Sequence, residues 1–166
     1  MDTPSASDLR KRLDLIPHPE GGYFREIYRS PESILHFGHG NPRAAVTSIY
    51  YLLEQGEFSG FHTVESDEIW CILDGGPLEL VIISPQGELT HHMLGRDITA
   101  GQIHQAVVPA GHFQAARPVS ESPWALCACI VAPGFDFADF AMLQQSELLQ
   151  RFPRHSPVIE AFSRRG

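Results

Sequence analysis

Apolar and polar residues alternate with a period close to two from about Tyr23 to Pro133, and a longer, helix-like period frames that span on both sides. Nine short runs carry the alternation: YFREIYRS (23–30), AVTSIYYLLE (45–54), FHTV (61–64), EIWCIL (68–73), LELVIIS (78–84), LTHHML (89–94), QAVVP (105–109), FQAARP (113–118) and ALCACIVAP (125–133). They are rich in β-branched and aromatic residues, and nearly every gap holds Gly, Pro, Asn, Asp or Ser, so the runs predict strands and the gaps turns. Eight or nine strands at this spacing predict an all-β fold, a barrel or double-sheet jelly roll. Ser5 or Ser7 can cap a short helix through about Leu15, which the prolines and glycines of PHPEGG bring to an end. Beyond Pro133, FADFAMLQQSELLQRF and PVIEAFSRR predict one or two helices packed on the outside, and PESILHFGHGNPRA (31–44) is the one long loop. Without repeats or low-complexity tracts, residues 1–166 predict a single domain, with the barrel at about 20–133 and the C-terminal helices at about 137–165.

Charge narrows the partners. The formal net charge is −8 and Lys11 is the sole lysine, so no basic stripe could neutralise a nucleic-acid backbone. No window approaches the roughly 18 apolar residues of a membrane span, and the N-terminal MDTPSASDLRKRLDL lacks the apolar stretch of a signal peptide, so a cytoplasmic location is expected. Cys71, Cys127 and Cys129 are odd in number, match no zinc knot and sit in apolar runs, which reads as buried thiols in a reducing compartment. The expected partners are a small-molecule ligand and a second copy of the chain, since strand edges and outward apolar residues such as Ile69 and Cys71 ask to be covered.

The chemistry concentrates on two of the runs. If FHTV and EIWCIL pair as antiparallel neighbours across the turn at 65–67, alternation puts His62 and Val64 on one face and Glu68, Trp70 and Ile72 on one face. A carboxylate in step with Trp70 and Ile72 points into the interior, where it needs a partner or a raised pKa. His62 facing Glu68 would suit a general base. Gln105 and Gln114 can both donate and accept towards hydroxyl or carbonyl groups, Arg25 offers a fork for a carboxylate or phosphate, and Tyr23, Tyr50, Tyr51 and Trp70 offer ring faces. Among the other histidines, His91 and His92 are adjacent and point to opposite faces, His36 and His39 lie in the long loop, His18 sits between prolines, and only His112 could share the face of Gln114.

The spacing G-x5-H-x-V-x3-E-x6-G, from Gly56 through His62, Val64 and Glu68 to Gly75, resembles the first motif of the cupin superfamily with its second histidine replaced. VPAGHFQAA resembles the second motif with Gln114 in the last histidine's place. More narrowly, PEGGYFREIYRS, SIYYLL, FHTVESDEIW, VPAG, FQAARP and VAPGFDFADF together are similar to the subfamily labelled cupin 5, over about Leu13 to Phe152. The resemblance implies a jelly-roll barrel, a dimer, and a likeness to the metal-free dTDP-sugar epimerases that use a histidine base. It also maps the metal ligands of other cupins onto His62, Val64, Glu68 and Gln114, of which Val64 donates nothing and Gln114 offers a weak amide oxygen. The expectation is therefore a pocket without a cofactor, binding a small oxygen-rich, carbohydrate-like or carboxylated molecule, with His62 as general base of an epimerase, isomerase or lyase and Glu68 beside it. Two alternatives stay open: a divalent transition metal held by His62, Glu68 and Gln114, and a non-catalytic binder or sensor.

Overall fold

The computed structural model describes residues 4–119 and 121–163, so the last two residues of the expected C-terminal helices, 164 and 165, lie outside it. The chain opens with α1 (Ala6–Arg12), fixed at its N-terminus by a reciprocal pair: the Ser5 hydroxyl accepts the Asp8 N–H, and the Asp8 carboxylate accepts the Ser5 N–H. Then follow β1 (Ile16–Pro17), β2 (Tyr23–Arg29), β3 (Ser33–Leu35), β4 (Pro42–Ala44), β5 (Thr47–Glu54), β6 (Ser59–Val64), β7 (Asp67–Gly75), β8 (Leu78–Ile83), β9 (Leu89–Leu94), β10 (Gln105–Val108), β11 (Phe113–Pro118), β12 (Trp124–Ala132) and β13 (Phe140–Met142). Two short helices, α2 (Gln145–Arg151) and α3 (Ser156–Ala161), close the described chain. Each of the nine runs expected from the sequence forms a strand within two residues of its expected bounds.

The strands form a six-stranded sheet, β1-β2-β5-β12-β7-β10, and a five-stranded sheet, β13-β6-β11-β8-β9, packed face to face as a jelly roll whose sheets are not closed into one barrel. Leu53, Trp70, Ile72, Leu80, Ile82 and Cys127 fill the space between them. α2 and α3 cover the outer face of the smaller sheet through Leu148, Phe152, Ile159 and Phe162 against Phe61, Val81 and Phe113, and Ala6, Leu9 and Leu13 of the N-terminal segment cover Leu52, Trp124 and Leu126 on the larger one. The outer faces are covered only in part, and β2, β9 and β10 keep exposed residues on theirs.

Three expectations are corrected. β6 and β7 are not hydrogen-bonded neighbours: β6 pairs with β11 and β13, β7 with β12 and β10, and residues 65–67 carry the chain from one sheet to the other. The expected loop at 31–44 contains the hairpin β3–β4, with Leu35 opposite Pro42. The stretch FADFAM, expected to be helical, instead gives one turn of 3-10 helix, Phe137–Asp139, and then β13, because Phe140 and Met142 find β6 partners in Val64 and His62.

Gly75 ends β7 with φ of +66°, and a Cβ there would stand 2.4 Å from the Trp124 carbonyl oxygen and 2.5 Å from its ring. Gly56 has φ of +80° with nothing within 4 Å. Gly56→Ala should cost only the left-handed strain, about 1 kcal/mol, whereas Gly75→Ala should cost about 3 kcal/mol or more by adding overpacking against backbone. Denaturant unfolding of both variants checks this, and equal losses would show that the two motif glycines serve the same purpose.

Candidate functional site

A cavity of about 250 Å³ opens between the sheets. Its polar end is built from His18, Glu20, His62 and Glu68, its walls include Phe24, Ile49, Val64 and Val131, and Glu26, Arg29 and Asp136 also line it. His62 and Val64 point inward from β6 and Glu68 from β7, so alternation placed both faces correctly although the two strands meet across the sandwich. His18 and Glu20 reach the cavity from the turn between β1 and β2 that PHPEGG makes.

Donor and acceptor rules fix the protons here. The Trp70 indole N–H can only donate, and it does so to Gln114 Oε1 at 2.8 Å, which turns the Gln114 amide nitrogen towards Glu68 Oε2 at 2.6 Å. His62 Nδ1 lies 2.8 Å from the Gly60 carbonyl and must carry a hydrogen to bond it. Its Nε2 then meets Glu20 Oε2 at 3.1 Å, a contact that requires one proton between imidazole and carboxyl. Burial decides where that proton rests. It raises the Glu20 pKa to about 8 and Glu68 to about 7, while it lowers His62 against the opposing pull of Glu68. Near neutral pH the pair is Glu20 as acid donating to neutral His62. His18 is lowered to about 4 by burial and by nearby His62.

Aromatic rings hold these groups. His18 stands edge-on to Phe24 at 4.6 Å and to Tyr51 at 5.8 Å between centroids, and Phe140 lies 5.4 Å from His62. Arg29, by contrast, is engaged with both Glu26 oxygens at 2.9 Å and with the Phe135 carbonyl at 3.0 Å.

Of the residues expected in the site, His62, Glu68, Trp70 and Gln114 come together, whereas Arg25, Tyr23, Tyr50 and Gln105 do not. Arg25 is on the outside, bonding the Leu13 carbonyl and Asp14. Tyr23 and Tyr50 pack with the N-terminal segment, Tyr23 under the Arg10 guanidinium, and Gln105 is exposed beside Cys71. The physical reason is parity: in β2 it is Phe24 and Glu26 that face inward. Tyr51 does point in, where its hydroxyl donates to the Gly21 carbonyl at 2.6 Å and also meets Glu20. His112 bonds the Ala110 carbonyl and stays outside the cavity lining. The sequence reading missed Glu20 and passed over His18; the signal was a histidine and a glutamate in one short turn, read there only as punctuation.

The four positions where other cupins ligate a metal do not fit one in this geometry. Val64 has no donor atom, the Gln114 oxygen is committed to Trp70, and both ring nitrogens of His62 are committed to Gly60 and Glu20. Among the described residues, the group whose ligand atoms all lie within 4.8 Å of one another is His36, His39 and Asp139, a cluster that could hold an ion. Two of its three residues are already engaged, while His39 Nε2 has no hydrogen-bond partner among the described residues. Both Asp139 oxygens accept from Arg43, at 2.6 and 2.7 Å, and His36 Nδ1 accepts the Gly38 N–H while its Nε2 meets the Glu65 carbonyl at 2.9 Å.

Comparison with known proteins agrees with the fold and the motifs. The model of the family described as Cupin superfamily (DUF985) matches residues 7–143, and the chain belongs to that family. It is 34% identical over 158 residues to the uncharacterized protein YML079W of Saccharomyces cerevisiae, covering 88% of this chain and 79% of that one. A hypothetical protein from Leishmania major superposes with a TM-score of 0.91 at 33% identity, over 98% of this chain and all of the other. Protein SO0799 from Shewanella oneidensis does so with a TM-score of 0.89 at 38% identity, over 99% and 100%. At 15% identity and a TM-score of 0.56, over 90% of this chain and 38% of the other, oxalate decarboxylase of Bacillus subtilis, described with Mn(II) centres, shares the fold alone. No helix among the described residues is long and apolar enough to cross a membrane.

The buried carboxyls set a sign for stability against pH. Glu20 titrates near 8 in the fold against an ordinary 4.5, so its contribution is present at low pH and is lost as pH rises through 8, and Glu68 acts alike through 7. His18 and His62 act with the opposite sign, but their effect is nearly complete by pH 7, because their ordinary value is 6.5. Stability should therefore fall by about 1 kcal/mol between pH 7 and 8, most of it from Glu20, and Glu20→Gln should lose only a small fraction of that. Urea titrations of both proteins at the two pH values check this; an unchanged slope in the variant would mean that Glu20 is already ionised at pH 7.

Proposed function

We propose that this cupin binds a small oxygen-rich molecule, sugar-like or carboxylated, between its sheets and moves a proton on it without a metal, as an epimerase, isomerase or lyase. The observation that carries this is the 3.1 Å approach of His62 Nε2 to Glu20 Oε2 in a cavity that also holds Glu68. One carboxyl titrating near 8 and another near 7 supply an acid and a base together close to neutral pH, the arrangement proton-transfer enzymes use. With both its nitrogens engaged, His62 serves by sharing the proton of Glu20, which leaves Glu68 as the base. About 250 Å³ admits one small molecule and no polymer.

A panel of monosaccharides, nucleotide sugars and small hydroxy acids should contain a compound that raises the melting temperature with concentration. Glu68→Leu should abolish that shift and Arg25→Ala should preserve it, because only Glu68 lines the cavity. Elemental analysis after exposure to nickel or zinc and dialysis should find well under one metal per chain; stoichiometric metal lost on His62→Ala would overturn the metal-free reading. Binding without any conversion of the compound would establish a sensor instead of an enzyme.

We also propose a homodimer. Leu35 and Phe37 are 68% and 99% exposed on the β3–β4 hairpin, and Ile27 and Tyr28 are about half exposed on β2, next to a stretch of edge that β1 leaves unpaired. Sedimentation should give twice the chain mass, and Phe37→Glu should shift it towards the monomer. A wild-type monomer at micromolar concentration would overturn this.

A further inference from the structure

The groups around Glu68 decide which form of its carboxyl is held. His62 faces it from β6, Cys129 from β12, Gln114 from β11 and Glu20 from the turn between β1 and β2. Burial holds the Cys129 thiol well above its ordinary value, so it keeps its hydrogen, and Cys129 and the Gln114 amide both donate to Glu68. Glu20 is placed the other way: the His62 Nε2 beside it, at 3.1 Å, carries no hydrogen once Nδ1 donates to the Gly60 carbonyl. Donors favour a carboxylate and acceptors favour a carboxylic acid. The polarity of the neighbours thus separates the base from the acid.

The Gln114 donation has one weakness. An amide turned by 180° exchanges its donor and its acceptor at little steric cost, and it would then offer oxygen to Glu68 and hold the acid instead. A single hydrogen opposes that turn. The Trp70 indole N–H, 2.8 Å from Gln114 Oε1, can only donate, so the turned amide would set its NH₂ against it and leave two buried donors face to face. Trp70, Gln114 and Glu68 are 0%, 1% and 7% exposed, so no bulk water is at hand to accept from either donor. Trp70 and Glu68 lie two residues apart on β7, and the link between them runs through β11 of the other sheet. Trp70 and Gln114 both stand behind Glu68, outside the cavity lining.

We propose that Trp70 is a positioning residue whose indole N–H fixes the Gln114 amide and thereby holds Glu68 as the base. The proposal rests on the proton-transfer reading above and names what regulates its base. The test is titration of the Glu68 side-chain carboxyl by ¹³C NMR in protein labelled on glutamate, with Glu68→Gln identifying the signal. Wild type should titrate near 7. Trp70→Phe, which keeps an aromatic ring and removes the N–H, should raise the midpoint by about one unit, the worth of one hydrogen bond gained by the acid. Gln114→Leu should raise it as well, and adding Trp70→Phe to Gln114→Leu should change nothing further. An unchanged midpoint in Trp70→Phe, or the same rise with and without Gln114, would overturn the proposal, because the indole would then act only as apolar bulk. Where Trp70→Phe fails to fold, the wild type decides. Its Trp70 indole N–H should keep a hydrogen-bonded shift and slow exchange on both sides of the Glu68 midpoint. A move to the shift of an unbonded indole as Glu68 takes up its proton would show the amide turning and overturn the proposal. No ligand takes part in these measurements, so a thermal-shift panel without a hit would sink the proton-transfer reading and leave the hold of Trp70 on Glu68 standing, and a failed titration would do the reverse.

Discussion

Two carboxyl groups, Glu20 and Glu68, lie between two apolar sheets, and among the described residues neither is paired with an arginine or lysine. That constraint organises the site. Ionised and uncompensated, each would cost several kcal/mol, so the fold meets them with neutral hydrogen bonding: Gln114 donates to Glu68, Trp70 locks Gln114, and His62 with Gly60 behind it takes up Glu20. Burial raises both carboxyls, so near neutral pH Glu20 keeps its proton, whereas Glu68, which burial raises to about 7 against the pull of His62 and the Gln114 donation, is divided between its acid and its carboxylate. The burial that makes them expensive is what makes them usable as acids and bases.

The same chain of bonds accounts for the two departures from the cupin metal motifs. At the position of the second motif's histidine, the Gln114 amide carries an acceptor and a donor side by side, accepting from Trp70 and donating to Glu68 at once. Val64 lies on the inward face beside His62, and a valine there keeps the wall apolar next to groups whose shifted pKa values depend on the exclusion of water. The motif positions of a metal centre are therefore occupied by a self-sufficient polar network.

How much of this was legible follows from what periodicity can carry. Alternation located all nine main strands and the inward faces of β6 and β7, because inward positions must be apolar or compensated. It could not say which strands pair, so His62 and Glu68 were expected to be in-sheet neighbours when they meet across the sandwich. Nor could it choose a face for β2, where Tyr23 and Arg25 alternate with Phe24 and Glu26 and both sets are plausible linings; packing against the N-terminal helix settles it. Glu20 and His18 were hidden because a turn has no period to read. β13 was mistaken for helix because Phe137, Phe140 and Leu143 recur at a helical spacing, and only pairing with β6 overrides it.

β13 also links the second histidine cluster to the site. Arg43 of the β3–β4 hairpin grips Asp139 with two hydrogen bonds, and His39 approaches the same carboxylate at 3.1 Å with the His36 ring stacked on it at 4.0 Å. Asp139 stands between Phe137, which lines the cavity, and Phe140, which contacts both His18 and His62. A clasp on Asp139 therefore fixes the aromatic wall from behind, at a distance from the acid–base groups. A hairpin whose tip is exposed and whose base is so firmly tied suits a wall that must hold its rings in place whatever enters the cavity, and it gives the histidines of that loop a structural reason to be there.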